Sequence, residues 1–144
     1  MATDRKASVV WQGDLMNGSG TIGSVTSGAL PQLDVSWPSR AEEPNGKTSP
    51  EELIAAAWAS CFSMALSHGL AQAGNAPERV ATSATLTFQP GEGITKARFS
   101  VVGTVPGIDE AAFREAANAA KENCPVSKAL AGIPDVSLDA QLAS

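Results

Sequence analysis

The chain has 144 residues, 43% of them hydrophobic and 17% charged, with a net charge of −5. That is enough sequence for a single domain, 1–144, with a substantial core. The acidic balance excludes a surface built to gather nucleic acid. Residues 1–12 include Asp4, Arg5 and Lys6 but no apolar run, so no secretory leader is read there. A cytoplasmic location follows from that reading, and there the two cysteines, Cys61 and Cys124, are expected as reduced thiols.

Ala7 to Gln12 (ASVVWQ) predicts a first strand, turned by Gly13-Asp14. Glycines 18, 20, 23 and 28 then punctuate short antiparallel strands, Gly20 to Val25 being the second and Leu33 to Trp37 the third. Pro38 to Thr48 is a polar loop carrying Arg40, Glu42, Glu43 and Lys47. Loops of this length inside a compact domain are commonly functional.

The loop leads into the longest element. Ser49 and Glu52 have capping-box spacing, Pro50 falls at the first helical position, and Gly74 supplies the stop. Between them runs a helix of roughly 24 residues, about 36 Å long. Leu53 to Gln72 contains no Asp, Glu, Lys or Arg, and its apolar residues Leu53, Ile54, Trp58, Phe62, Met64, Leu66 and Leu70, with alanines between, are read as reaching every face. The pattern predicts a helix buried all round. A membrane span is disfavoured, because Ser60, Ser63, Ser67, His68 and Gln72 dilute the apolar run and no basic or aromatic belt flanks it.

After Gly74 the period changes to two. Val80, Thr82, Ala84, Leu86 and Phe88 alternate with Ala81, Ser83, Thr85 and Thr87; Pro90 to Gly93 turns the chain, and Thr95 to Val101 returns as the second arm of a hairpin. Asp109 caps a helix with Phe113, Ala116, Ala117 and Ala120 on one face, ending near Asn123 ahead of Pro125. Val136 to Leu142 makes a terminal strand. Hairpins rather than βαβ crossovers indicate an α+β fold, antiparallel sheets packed on a buried central helix.

Two thiols can be inert packing residues or redox groups. Cys124 precedes Pro125 to Leu130 (PVSKAL), a short helical stretch whose N-cap position favours a thiolate. Cys61 lies mid-helix in apolar surroundings and needs a cation to become a nucleophile. Glu51 can hold Arg40 in a bidentate pair. Physical reasoning alone therefore ranks Cys124 as the more reactive thiol. His68 lies two helical turns from Cys61, but no close Cys or His spacing supports a metal site. Trp58 reads as core or pocket wall.

Ser49-Pro50-Glu51-Glu52-Leu53-Ile54-Ala55-Ala56-Ala57, continuing through Cys61-Phe62-Ser63-Met64-Ala65-Leu66-Ser67, resembles the OsmC and organic hydroperoxide resistance family. Cys124-Pro125-Val126-Ser127-Lys128-Ala129-Leu130 resembles the second cysteine motif of that family, and Trp11 to Leu15, Val105 to Asp109 and Leu138 to Leu142 are similar too. The likeness spans nearly the whole chain and favours the OsmC branch. It implies an intertwined homodimer and a cofactor-free, thiol-dependent peroxidase acting on organic hydroperoxides. By resemblance, Cys61 is the peroxidatic cysteine, Cys124 the resolving one, Arg40 the activating cation and Glu51 its orienting carboxylate. Trp58, Phe62 and Met64 would supply apolar walls for substrate, and the reductant would be a lipoyl-type dithiol. Neither nucleic acid nor membrane is an expected partner. The alternative is a redox-responsive regulator or binding module that uses the same cysteines without turnover.

Glu51 and Cys61 are ten residues apart, which on an unbroken helix is about 15 Å of rise. Antiparallel pairing of two such helices in a two-fold dimer would let one chain present Arg40 and Glu51 to the cysteines of the other. A helix break between Glu51 and Cys61 would instead let one chain build the whole site.

Overall fold

A computed structural model describes residues 1–143, which group into two compact units, 1–53 and 54–143. In the first unit, strands β1 (Ala7–Gln12), β2 (Ser19–Val25) and β3 (Leu33–Val35) form a sheet in that order, antiparallel throughout. Trp11 pairs with Gly20 and lays its ring across it; a Cβ there would come within 2.7 Å of Trp11 Cε3 and 2.9 Å of Val35 Cγ2. Glycine is the residue that lets the indole cover the strand.

The third strand is shorter than predicted, and the expected polar loop begins as a helix, α1 (Trp37–Ala41). The cause is local. Ser36 accepts a hydrogen bond from Ser39 N–H while the Ser39 hydroxyl accepts from Ser36 N–H, a reciprocal capping box, and Pro38 sits in the first turn where it is tolerated. Arg40 therefore projects from a helical turn rather than from irregular chain.

Helix α2 (Pro50–Gln72) starts and stops on the residues named from sequence. Ser49 Oγ accepts from Glu52 N–H at 3.1 Å, although the Glu52 carboxylate turns to Thr48 Oγ1 rather than closing the box. Gly74 at φ +86° ends it, with Asn75 N–H bonded to Leu70 O and Gly74 N–H to Ala71 O, the paired bonds of a Schellman motif. The helix is not buried all round. Trp58, Phe62, Leu66 and Leu70 make a single buried stripe at i, i+4, i+8 and i+12, while Ala56, Ala57, Ser60, Met64 and His68 are exposed. Its length and apolarity alone would suit a membrane span, but the stripe belongs to a protein core.

That core is in the second unit. Strands β4 (Arg79–Gln89) and β5 (Gly93–Thr104) form the hairpin, with a bulge at Thr87/Phe88. Alternate β5 residues Ala97, Phe99 and Val101 are buried with the α2 stripe; Trp58 meets Phe99 edge-on at 4.9 Å between ring centroids. Helix α3 (Glu110–Asn123), capped by Asp109 Oδ1 on Ala112 N–H, adds Phe113, Ala117 and Ala120 to the same core. The Phe113 ring lies over Gly103, where a Cβ would sit 2.5 Å from two ring carbons.

Strand β6 (Asp135–Leu142) pairs with β5 in parallel, Lys96 opposite Asp135 through Gly103 opposite Leu142. The α+β class holds, but the sheet is mixed, and β5–α3–α4–β6 is a crossover rather than a hairpin. Helix α4 (Pro125–Ala129) and α3 occupy the connection, which is long enough to return the chain to the start of β5.

Candidate active site

The four residues expected to do chemistry fall into two pairs, one in each unit. In the first unit, Arg40 Nε donates to Glu51 Oε1 at 2.9 Å and Oε2 at 3.2 Å, and its Nη2 donates to Oε1 at 2.7 Å. The fork is bidentate, and Glu51 is buried while Arg40 is half-buried. Two elements make the contact. The capped turn of α1 fixes Arg40, and Glu51 stands in the first turn of α2, a favoured place for a carboxylate.

In the second unit, Cys61 and Cys124 are free thiols, their Sγ atoms hydrogen-bonded at 2.8 Å. Cys61 is half-buried on α2, three residues after Trp58 and one before Phe62. Cys124 is fully buried and serves two helices: its N–H donates to Ala120 O, closing α3, and its C=O accepts from Lys128 N–H, opening α4. Pro125 takes the first position of α4, so the N-cap placement read from sequence is the observed one.

The two sulfurs have opposite acidities. Burial pushes the Cys61 thiol above its ordinary value, and its hydrogen bond with Cys124 raises it further, against a smaller opposing bond from Val126 N–H. Burial also works against the Cys124 thiolate, but hydrogen bonds from Cys61, from the N–H groups of Ser127 and Val126 and from the Ser127 hydroxyl outweigh it and hold Cys124 below the ordinary thiol value.

Ser127 was not singled out from sequence. It is the third residue of α4, above the Cys124 side chain, and it accepts a 2.7 Å hydrogen bond from Trp58 Nε1. A buried indole N–H needs such a partner, a signal available in principle from Trp58 but without an address 69 residues away. Trp58, Ser127, Lys121, Lys128, Leu130 and Val136 are among the residues that line a cavity of about 270 Å³. Of the other two residues expected as substrate walls, Phe62 is wholly inside the core against Phe99, and Met64 is 71% exposed on the outer face of α2. Among the described residues no three His, Cys, Asp or Glu side chains cluster to hold a metal ion, His68 included.

The chain is 41% identical to the peroxiredoxin OsmC of Escherichia coli K12 over 147 aligned positions covering all of both proteins. It is 34% identical to the organic hydroperoxide resistance protein OhrB of Bacillus subtilis over 83% of this chain and 90% of that one. The crystal structure of an OsmC-like protein from Mycoplasma pneumoniae superposes over the full length of both chains with a TM-score of 0.73, at 14% identity a likeness of fold alone. The profile of the OsmC-like proteins matches residues 43–139, a span that includes Glu51, Cys61 and Cys124 and begins three residues after Arg40. The chain belongs to the OsmC-like protein family.

Proposed function

We propose that this protein is a thiol-dependent peroxidase that reduces organic hydroperoxides to alcohols, with Cys61 as the attacking thiolate and Cys124 as the resolving thiol. The observation that carries the reading is the 2.8 Å approach of two free thiols in a chain whose relatives are named peroxiredoxin OsmC and organic hydroperoxide resistance protein. The Cys61 thiolate attacks the terminal peroxide oxygen, the O–O bond breaks, and the alkoxide leaves as alcohol after taking a proton. Cys61 is left as a sulfenic acid. Cys124 displaces its hydroxyl as water, forming the disulfide before a second peroxide can overoxidise Cys61. A dithiol of lipoyl type then reduces the disulfide by exchange. No cofactor takes part in this cycle, and the protein would act in the cytoplasm.

Cys61 does not ionise readily on its own, since burial and Cys124 both oppose it. The cycle therefore needs a cation at that sulfur. Arg40, its guanidinium set by Glu51, is the group proposed to supply it and to donate to the departing oxygen. Homodimerisation would supply the pairing. Exposed Ala56, Ala57 and Ser60 permit close helix approach, and exposed Val9, Val10 and Trp11 on β1 offer apolar surface. Trp58, Phe62 and Met64 are the residues proposed to give the substrate apolar surface, Trp58 and Phe62 from the core and Met64 from the exposed face of α2.

Stopped-flow oxidation of the reduced protein by cumene hydroperoxide, followed by mapping of the disulfide, tests the reading. A second-order fast phase ending in a Cys61–Cys124 bond, and turnover in excess dithiol, are expected. Oxidation that stops after one equivalent in excess dithiol would identify a redox-responsive regulator instead.

A further inference from the structure

The resolving thiol has a built environment that the peroxide step does not use. Trp58 is 1% exposed, and its indole N–H, which can only donate, takes a lone pair of Ser127 Oγ at 2.7 Å. The hydroxyl hydrogen of Ser127 is then left for a second acceptor, and the Ser127 hydroxyl acts on the Cys124 thiol together with the N–H groups of Ser127 and Val126. Cys124 is completely buried, whereas Cys61 is open to solvent on one side.

We propose that Ser127, its hydroxyl oriented by the Trp58 indole, positions Cys124 as the departing sulfur when the disulfide is reduced, so that the external dithiol attacks Cys61. The inference rests on the disulfide cycle above and adds the direction in which that disulfide opens. One thiolate of the reductant bonds to Cys61 Sγ, the Cys61–Cys124 bond breaks, and Cys124 leaves with the electron pair. The second thiol of the reductant, as thiolate, attacks its partner sulfur in the mixed disulfide, closing a cyclic disulfide and expelling the Cys61 thiolate. The protein gains two electrons, the dithiol loses two, and its two protons pass to the cysteines.

Access and leaving-group quality both select this direction. Exchange needs the attacking sulfur to reach its target, and Cys61 is the sulfur within reach. It also runs faster when the departing thiol is the more acidic one. Three hydrogen bonds to the Cys124 sulfur, from the N–H groups of Val126 and Ser127 and from the Ser127 hydroxyl, do not depend on a Cys61 thiol and remain to stabilise the departing thiolate.

The test begins with protein whose disulfide is installed by a diazenedicarboxamide oxidant, so that it reads the opening step whether or not hydroperoxides are consumed. A monothiol, 2-mercaptoethanol, is added to this protein, the mixture is quenched with an alkylating agent, and peptides are mapped. The adduct is expected on Cys61 and the alkylated thiol on Cys124. Ser127→Ala should slow opening by roughly three- to tenfold, the loss of one hydrogen bond to a developing thiolate. Ser127→Thr, which keeps the hydroxyl, should restore most of the rate. An adduct formed mainly on Cys124 would overturn the proposal, as would an undiminished rate in Ser127→Ala or a loss that Ser127→Thr fails to restore. Failure to consume hydroperoxide would count against the peroxidase reading alone.

Discussion

At the residue scale the question is why two thiols in contact should take different roles. Within the second unit the hydrogen-bond donors gather at Cys124, and burial opposes ionisation of Cys61. Local physics therefore makes Cys124 the more acidic sulfur, the ranking that the sequence supports when read without its relatives. Assigning the attack to Cys61 requires an external cation, so Arg40 is the discriminating residue. Arg40→Ala should leave the fold intact, because the side chain is one-third exposed and α1 is held by Ser36 and Ser39. It should raise the Cys61 pKa and slow peroxide reduction at neutral pH by roughly tenfold or more, about 1.4 kcal/mol. The sign is fixed. A higher pKa lowers the thiolate fraction at neutral pH, so the deficit should shrink as pH rises and Cys61 ionises without help. A pH–rate profile for the first oxidation that coincides with wild type would remove Arg40 from the site. Cys61→Ser should abolish that oxidation, while Cys124→Ser should allow one oxidation event, stall turnover and drift to the sulfinic acid, which intact-mass measurement distinguishes.

At the element scale, packing at one glycine is a direct check of the core. Gly103→Ala would drive a Cβ into the Phe113 ring, whose Cε1 and Cζ are 2.5 Å away, whereas Gly132 has nothing within 4 Å. The first change should destabilise by about 1–3 kcal/mol and the second far less; urea midpoints with unchanged slopes would show it. The elements themselves differ in how openly the sequence declares them. The ends of α2, the cap at Asp109 and the β4–β5 alternation are written in local chemistry, with Ser49, Pro50 and Gly74 as examples. Helix α1 is hidden because its start is a Ser-x-x-Ser pair beside a proline, which reads equally well as loop. The parallel pairing of β6 is invisible locally, since alternation fixes which face a residue takes and not which neighbour the strand joins. Composition also overstated the burial of α2, because alanine and serine suit an exposed face as readily as a covered one. The site shows the same division. Cys124 at a helix start and a Glu51 pair for Arg40 were legible from spacing, the meeting of Cys61 with Cys124 followed from family resemblance, and the Trp58–Ser127 contact from neither.

At the scale of the whole molecule the proposal turns on a second copy. Helix α2 is unbroken from Pro50 to Gln72, so a helix break is not available to bring Glu51 to the Cys61 of its own chain. The face it leaves open holds Ala56, Ala57, Ser60 and an extensively exposed Met64. A two-fold partner laying its own α2 antiparallel on that face would bring the start of one helix beside the middle of the other. Each active site would then take Cys61 and Cys124 from one chain and Arg40 with Glu51 from its partner. Subunit mixing separates this arrangement from a site made in one chain. Cys61→Ser and Arg40→Ala homodimers are each deficient, the first lacking the nucleophile and the second its cation. A heterodimer of the two carries one defective chain of each kind. If sites are shared, one of its two sites receives an intact Cys61 from the Arg40→Ala chain and an intact Arg40 from the Cys61→Ser chain. The other site lacks both. Activity should therefore recover toward half the wild-type value per heterodimer. Differently tagged chains, refolded together and purified through both tags, make the measurement independent of exchange rates. If each chain builds its own site, no intact site forms and the purified heterodimer should show no recovery.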